Sequence, residues 1–270
     1  MQRKKAPVWA RGVSVVACVA AAMGWAVIAA ADGGSSGADA PWPGLIEISP
    51  PPPSSMIHGV APERDEARVR PATRAADRAL DVLGRVRSNL RATRYQAQTI
   101  VREREGVYLW DCSGMAAWVL HRAAPQALAA TGRARPAARD FYRAIASAPT
   151  NRARRGWVRL PRLADAQPGD VFAWLKPPSW PRRNTGHVGF VLSPPEPVRG
   201  MNGAYLVRIA DATSVAHESD TRADGMGGGF GEGTIMFLTD ERGEGTAYAW
   251  HGRYSQWAVQ TRVVVGRLVR

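Results

Sequence analysis

A single cysteine carries the clearest chemical signal in this chain. Cys112 lies in the run Trp110-Asp111-Cys112-Ser113-Gly114, whereas the other cysteine, Cys18, lies inside a predicted export signal. Exported proteins usually carry cysteines in pairs that form disulfides. Because Cys112 would have no such partner, it is either a buried, inert residue or one that is present for its thiol chemistry.

The residues around Cys112 favour the second interpretation. Cysteine attacks as its thiolate, and the N–H groups at a helix N-terminus lower the pKa of a thiol. The irregular segment 106–110 enters a helical pattern at Cys112, Asp111 and Ser113 are both capping residue types, and Gly114 lets backbone or substrate approach closely. The Asp111 carboxylate opposes thiolate formation, so we expect it to hydrogen-bond the turn. The inert alternative stays open, because free cysteine is among the most buried residue types.

Two downstream segments supply candidate partners for the thiol. His187 stands in Thr185-Gly186-His187-Val188-Gly189, where the flanking glycines give its ring open access as a general base. Asp211 ends the following predicted strand, where it can hold the His187 imidazole in the useful tautomer. Each has a simpler interpretation, His187 as a strand-end residue bonded to backbone and Asp211 as an Asx-turn residue.

Helices in the first part of the chain and strands in the second must position these residues. Apolar residues at steps of three and four predict helices over residues 75–92, 112–121 and 137–146. Short apolar runs between Gly, Pro and Asp turns predict strands over residues 171–175, 187–192, 205–210, 234–238, 247–250 and 259–268. Helices followed by strands predict an α+β fold, with the N-terminal helices packed on one face of an antiparallel β-sheet. The start of the Cys112 helix and the first strands would then meet across one cleft.

The chain divides into three predicted parts. Residues 1–31 have a basic start, an apolar run and the small-residue site Ala29-Ala30-Ala31, which predict a signal peptide or, if uncleaved, an N-terminal membrane anchor. Residues 32–73 are rich in Gly, Ser and Pro and predict a disordered linker. Residues 74–270 form the predicted folded domain. The protein is therefore expected to be secreted or to lie in the periplasm or cell envelope of a bacterium.

Charge and the remaining motifs give weaker signals. The formal net charge of +13 comes mainly from arginine without a nucleic-acid-binding motif, so no nucleic-acid partner is expected. The run His217-Glu218-Ser219-Asp220 has the composition of a metal cluster but lacks ligand spacing, so a solvated loop is favoured and no metal or other cofactor is expected. His217 nevertheless remains a backup for Asp211. The glycine-rich segment 225–233 favours a mobile loop, and Trp174 and Trp250 are predicted to be core residues.

Three short motifs together resemble the NlpC/P60 family of papain-like cysteine peptidases. They are Asp-Cys-Ser-Gly on a helix, Pro-Gly-Asp before a strand and Gly-His-Val-Gly on the next strand, within residues 95–213. The resemblance implies a papain-like NlpC/P60 fold, with Cys112 as nucleophile, His187 as general base and Asp211 as the residue that orients the histidine. The chain departs from the family in lacking a Gly-Gly pair before the cysteine motif and in carrying aspartate where many members have histidine.

The resemblance also suggests a tyrosine that lines the site. Tyr95, upstream of the cysteine, is assigned this role, although Tyr108 competes for it, and Ser113 is assigned to substrate binding. The segment 124–162 is longer than the family leads us to expect and would shape the substrate cleft.

The expected function is that of an exported cysteine peptidase or amidase. The substrate class that the resemblance implies is peptidoglycan stem peptides, cleaved between D-glutamate and a diamino acid. The alternatives are an amidase, an acyltransferase or a transglutaminase-like enzyme acting on another substrate, a non-catalytic module that binds the cell wall, and a membrane-tethered interaction protein in which Cys112 is a core residue. The sequence leaves the oligomeric state open.

Overall fold

A computed structural model describes residues 44–48, 70–180, 184–222 and 227–270. The predicted signal and most of the predicted linker lie outside the described residues. The described α-helices are α1 (Arg74–Asn89), α2 (Cys112–Ala123), α3 (Pro125–Ala129) and α4 (Ala138–Ala146). None of the helices in the described ranges is long and apolar enough to cross a membrane.

Twelve strands complete the described part of the chain. They are β1 (Leu45–Glu47), β2 (Ala92–Tyr95), β3 (Ile100–Arg102), β4 (Val107–Trp110), β5 (Trp157–Arg159), β6 (Val171–Leu175), β7 (Gly186–Val191), β8 (Glu196–Pro197), β9 (Ala204–Thr213), β10 (Gly229–Thr239), β11 (Gly245–Ala249) and β12 (Trp257–Leu268).

Six of these strands close into an antiparallel barrel. Hydrogen-bonded neighbours follow the order β12-β11-β10-β9-β7-β6, and β6 pairs back onto β12, with Val171 opposite Gly266 and Ala173 opposite Val264. The closure depends on the twelve-residue length of β12. The first part of β12 pairs with β1 and β11, and its last part pairs with β5 and β6.

The predicted α+β, papain-like NlpC/P60 fold is therefore wrong. The molecule is mainly a closed six-stranded antiparallel β-barrel with extra strands and few helices. The sequence pattern could not reveal the closure, because the closing pair joins the first and last barrel strands. A strand with a given alternation of apolar residues has the same pattern in an open sheet as in a barrel.

The individual elements agree better with the sequence pattern than the architecture does. Each of the three predicted helices and six predicted strands is present, and all but the strand over 171–175 have at least one shifted end. The segment 106–110 was expected to be irregular, but it contains β4, which runs parallel to β2 and antiparallel to β3. A strand, β1, also lies within the predicted linker and pairs with β12.

Strands β6, β7 and β9 bury residues on both of their faces. Alternate residues such as Phe172, Trp174 and Ile209 pack together in one apolar cluster with Phe237. The residues between them belong to a second cluster, which joins β6, β7 and β9 to the apolar sides of α1, α2 and α4. The second cluster includes Val171, Ala173, Val188, Phe190, Ala210, Val82, Leu83, Met115, Val119 and Phe141. This packing fixes the start of α2 against β7 and β9, where the candidate site lies.

Candidate functional site

Cys112 is the first residue of α2, and Asp111 caps the helix. Asp111 Oδ1 accepts a hydrogen bond from Gly114 N–H at 2.7 Å and one from Ser113 Oγ–H at 2.9 Å. The predicted role of Asp111 in the turn is thereby confirmed. Ser113, which was assigned to substrate binding, is buried and directs its hydroxyl to Asp111. Gly114 is needed because the Thr99 hydroxyl occupies the space where a Cβ would lie.

The Cys112 thiol is buried, with 5% of the residue exposed. Burial raises the pKa of this thiol, and the Asp111 carboxylate raises it further, while hydrogen bonds from the backbone N–H groups of Val188 and Ser113 oppose the shift. The N–H of Ser113 at the helix N-terminus does lower the thiol pKa, as expected, but burial and the adjacent carboxylate outweigh it, so the net shift is upward. Cys112 therefore rests as a neutral thiol.

Tyr95 reaches the thiol from the end of β2. It pairs with Trp110 across the parallel β2–β4 ladder, and its side chain forms a hydrogen bond with Cys112. Burial raises the pKa of the phenol, and negative charge at Cys112 raises it further. The competing residue, Tyr108, instead packs on Trp110 and Trp118, with ring centroids 5.2 and 5.9 Å away. Of the two tyrosines, Tyr95 is the one that lies beside Cys112.

His187 and Asp211 form a buried pair on neighbouring strands. His187 Nε2, on β7, lies 2.7 Å from Asp211 Oδ2, on β9. Burial by itself would raise the pKa of the Asp211 carboxyl, but the positive charges of Arg222 and His217 and the hydrogen bonds from His187 and His217 hold it well below its usual value. Because this carboxylate is ionised and can only accept, Nε2 of His187 donates the hydrogen bond.

The glycines beside His187 serve close packing and do not open the ring to solvent. His187 is only 6% exposed. A Cβ on Gly189 would lie 2.6 Å from the ring of Phe172, and Gly186 has a φ of +135° against the backbone of Trp174. The His187 ring itself lies between Trp174 and Trp250, with centroids 5.0 and 5.3 Å away.

Asp211 is shared by two further residues that follow it in the sequence. His217 Nε2 lies 2.9 Å from Asp211 Oδ2, and Arg222 Nη2 pairs with Asp211 Oδ1. Asp220 in turn accepts hydrogen bonds from Arg222 Nη1 and from the backbone N–H of His217, both at 2.7 Å. The prediction of a solvated loop for the His217 to Asp220 run is wrong, since its histidine and both of its carboxylates have buried side chains.

β7 and β9 pair along only part of their length. The two strands pair only through Phe190 with Ala210 and Val191 with Ile209, so they separate before reaching His187. The backbone N–H of Val188, the residue after His187, forms a hydrogen bond with the Cys112 thiol that lowers the pKa of the thiol. Within the described residues the thiol makes no hydrogen bond to the His187 ring. The described site thus contains a neutral thiol, hydrogen-bonded to the strand that carries His187, and a His187 ring that is paired with Asp211.

Comparison with known proteins found no counterpart. No protein-family model, curated protein or solved structure matches this chain.

The Pro-Gly-Asp motif has a structural role in this fold. Asp170 is fully buried and accepts hydrogen bonds from Arg267 Nε at 3.1 Å and Nη2 at 2.8 Å. This ion pair ties the start of β6 to the end of β12, next to the closing register of the barrel. No cluster of His, Cys, Asp and Glu in the described ranges could hold a metal ion.

Sequence reasoning missed two residues of the site. Arg222 pairs with Asp211, and Trp250 packs over both histidines, at 4.3 Å from the His217 ring and 5.3 Å from the His187 ring. Neither residue belongs to a motif, and tertiary contacts alone bring them to the site. The one available signal was the alternation of glycines at 229, 231 and 233, which predicts a strand face without side chains.

Proposed function

We propose that the protein is an exported cysteine hydrolase that cleaves amide bonds. Cys112 is the nucleophile, His187 is the general base and Asp211 orients His187. The observation that carries the proposal is the buried 2.7 Å contact between His187 Nε2 and the ionised carboxylate of Asp211. Val188, the residue that follows His187 on β7, forms a hydrogen bond with the Cys112 thiol through its backbone N–H. A histidine held in this tautomer presents an unprotonated Nδ1, which is the form that a base requires.

The proposed reaction begins from the neutral thiol. His187 Nδ1 takes the thiol proton as Cys112 Sγ attacks the amide carbonyl carbon, and the carbonyl oxygen becomes an oxyanion. When this tetrahedral intermediate collapses, the C–N bond breaks and the His187 proton passes to the leaving amine. Water then attacks the thioester carbonyl carbon while His187 takes a proton from it, the C–S bond breaks to release the acid, and the His187 proton returns to Cys112 Sγ. Because the pKa of the resting thiol is raised, proton transfer accompanies the attack and does not precede it.

Groups at the start of α2 can stabilise the oxyanion. Asp111 accepts the N–H of Gly114, and the backbone N–H of Met115 bonds to the Asp111 carbonyl oxygen. We therefore propose two donors to the oxyanion. One is the backbone N–H of Cys112, which precedes Gly114 and Met115 in the chain, and the other is the neutral Tyr95 hydroxyl beside the thiol.

The proposed substrates are peptidoglycan stem peptides, with the bond between D-glutamate and a diamino acid as the first candidate. The support is the resemblance of the three motifs to the NlpC/P60 family. The predicted export signal would place the enzyme at the bacterial cell envelope, where this substrate lies. Acyl transfer would use the same thioester and would differ only in the nucleophile that resolves it.

A second candidate function is a non-catalytic module that binds the cell wall. It is favoured by the burial and raised pKa of the thiol and by the missing hydrogen bond between the thiol and the His187 ring. In this alternative, Cys112 is a packing residue of the core that joins α2 to β7, and His187 and Asp211 stabilise the barrel.

Product analysis with matched cysteine variants separates the two functions. The full chain is incubated with soluble peptidoglycan fragments, beside Cys112→Ala and the control Cys18→Ala, and products are identified by mass spectrometry. The hydrolase proposal expects new amine termini with the wild type and Cys18→Ala and none with Cys112→Ala. Binding of fragments by all three proteins without any product would favour the non-catalytic module.

A further inference from the structure

Four charged side chains meet in the buried cluster behind His187. Asp211 and His217 have fully buried side chains, and those of Asp220 and Arg222 are 3% and 4% exposed. Arg222 bridges the two carboxylates, since its Nη2 pairs with Asp211 Oδ1 and its Nη1 lies 2.7 Å from Asp220 Oδ2. Arg222 Nε also donates to the Gly229 carbonyl oxygen at 3.0 Å.

The protonation state of His217 follows from its two hydrogen-bond partners. Nδ1 lies 3.0 Å from the carbonyl oxygen of Trp250, which can only accept a hydrogen bond. Nε2 lies 2.9 Å from Oδ2 of Asp211, an ionised carboxylate that also can only accept. A neutral imidazole has one donor nitrogen, so both contacts are satisfied only when both nitrogens carry protons. His217 is then an imidazolium, and the Trp250 ring 4.3 Å away adds a favourable cation–π contact.

The charges of the four cluster side chains cancel one another, and a neutral His187 keeps that balance. Asp211 and Asp220 contribute two negative charges, and Arg222 and His217 contribute two positive charges. A proton on His187 would leave a buried excess of positive charge, which is costly in an environment of low dielectric. The cluster thus favours the unprotonated form of His187 as long as the thiol is neutral.

The backbone of β10 is built to make room for the cluster. Gly231 and Gly233 lie on the face of β10 that the cluster covers. A Cβ on Gly231 would fall 2.5 Å from Arg222 Nε, and a Cβ on Gly233 would fall 2.7 Å from the Cβ of His217. The residue between them, Glu232, carries a side chain on the other face, where it pairs with Arg87 at 3.0 Å. Residues 229–233 of the glycine-rich segment, which was predicted to be a mobile loop, thus belong to β10, and the charged cluster packs on the face of Gly231 and Gly233.

We propose that His217 is a buried imidazolium which, together with Arg222, positions Asp211 and keeps His187 unprotonated in the resting protein. His217 is in this role a positioning residue that acts through Asp211 and does not contact the substrate. The role of His187 as a base rests on the proposed function, whereas the charge state of His217 does not.

Several other charged groups surround the two histidines. His187 is paired with Asp211, and the charged or titratable neighbours of His217 are Asp211, Asp220, Arg222 and His251. Partial burial lowers the pKa of His251, and positive charge on His217 lowers it further. Glu218, which follows His217, is paired with the side chain and the backbone N–H of Arg253.

The test is the titration of the histidine ring nitrogens by ¹⁵N NMR in the full chain, without substrate. We expect both nitrogens of His217 to have imidazolium shifts at pH 7, while His187 has one protonated and one unprotonated nitrogen. In His217→Gln, the cluster loses one positive charge, so the titration midpoint of His187 is expected to rise by about one pH unit or more. The control is His251→Gln, which removes a neighbouring histidine that does not bond to Asp211 and should leave this midpoint unchanged.

Two outcomes would overturn the proposal. One is a neutral His217 in the wild type at pH 7, and the other is an unchanged His187 midpoint in a folded His217→Gln. If His217→Gln does not fold, the wild-type spectrum decides alone. The result is separate from the product assay: a protein that yields no Cys112-dependent product but contains a charged His217 would refute the hydrolase and leave the charge balance standing.

Discussion

Gly231 lies directly opposite Asp211 in the antiparallel ladder between β9 and β10. The space that its missing side chain leaves is filled by Arg222, whose Nε and Cγ would lie 2.5 and 2.6 Å from a Cβ at this position. Moving this buried guanidinium away would cost free energy, because it pairs with two carboxylates. The ion pair between Arg222 and Asp211 thus depends on the absence of a side chain at Gly231.

Replacing Gly231 with alanine should displace Arg222 from Asp211. We expect the free energy of unfolding to fall by about 1–3 kcal/mol, as for other overpacked sites, measured by urea denaturation. The matched control is Gly84→Ala in α1, where a Cβ meets no atom within 4 Å. That substitution should raise stability by about 0.5–1 kcal/mol, because alanine is the better helix former. Equal stability of Gly231→Ala and wild type would contradict this account of β10.

Asp211→Asn should make the stability of the protein less dependent on pH in the acid range. The native pKa of Asp211 is held below that of an unfolded aspartate, about 3.9, so its stabilisation is fully present above that value and is lost as the pH falls toward the native pKa. At pH 7 the variant should lose about 3–5 kcal/mol, because Arg222 and His217 stay buried without their carboxylate.

The difference between Asp211→Asn and wild type should shrink at pH 3, as measured by denaturant unfolding at both pH values. The control is Glu105→Gln, which breaks the exposed pair with Arg102 and should change stability by less than about 1 kcal/mol. A constant difference between pH 7 and pH 3 would show that Asp211 is not an ionised partner of the cluster.

The sequence predicted the individual elements much better than their assembly. Local patterns identified the strand that carries His187 and the helix that begins at Cys112, because apolar spacing and capping residues act over a few positions. The barrel closure between β6 and β12 and the pairing of Arg222 with Asp211 depend on contacts between distant segments. Such contacts leave no local pattern in a single sequence.

In the candidate site as well, local motifs could be read from the sequence, whereas burial and long-range contacts could not. Asp111, Cys112 and His187 were found because each stands in a short motif, and the cap made by Asp111 is confirmed. The thiol pKa was predicted in the wrong direction, because the helix N-terminus is visible in the sequence whereas the burial of Cys112 is not. His217 was placed in a solvated loop for the same reason, since only the folded chain brings it 2.9 Å from Asp211.

Asp170→Asn tests whether the Pro-Gly-Asp motif stabilises the fold without acting in the site. Loss of the charged hydrogen bonds to Arg267 should lower the free energy of unfolding by about 1.5–3 kcal/mol in urea denaturation. The rate of Cys112 alkylation in the folded protein should stay at the wild-type value. Asp165→Asn, which breaks an exposed pair with Arg162, serves as the control and should change stability by less than about 1 kcal/mol. A large change in alkylation rate with intact stability would assign Asp170 to the site.

Asp111→Asn should make the Cys112 thiol more reactive while leaving α2 intact. The Asp111 carboxylate raises the pKa of this thiol, and asparagine removes the charge but remains an effective helix cap. In a Cys18→Ser background, the rate of alkylation by iodoacetamide in the wild type should be low at pH 7 and should still be rising above pH 8.5, the range of an unperturbed thiol. The Asp111→Asn rate at pH 8 should be several-fold higher, because a decrease of one pKa unit raises the thiolate fraction about tenfold. Ser113→Ala is the control, since it removes a hydrogen bond to the same carboxylate without changing its charge.

A wild-type alkylation rate that is already high and level at pH 7 would mean that Cys112 rests as a thiolate. The proton transfer proposed for His187 would then precede substrate binding.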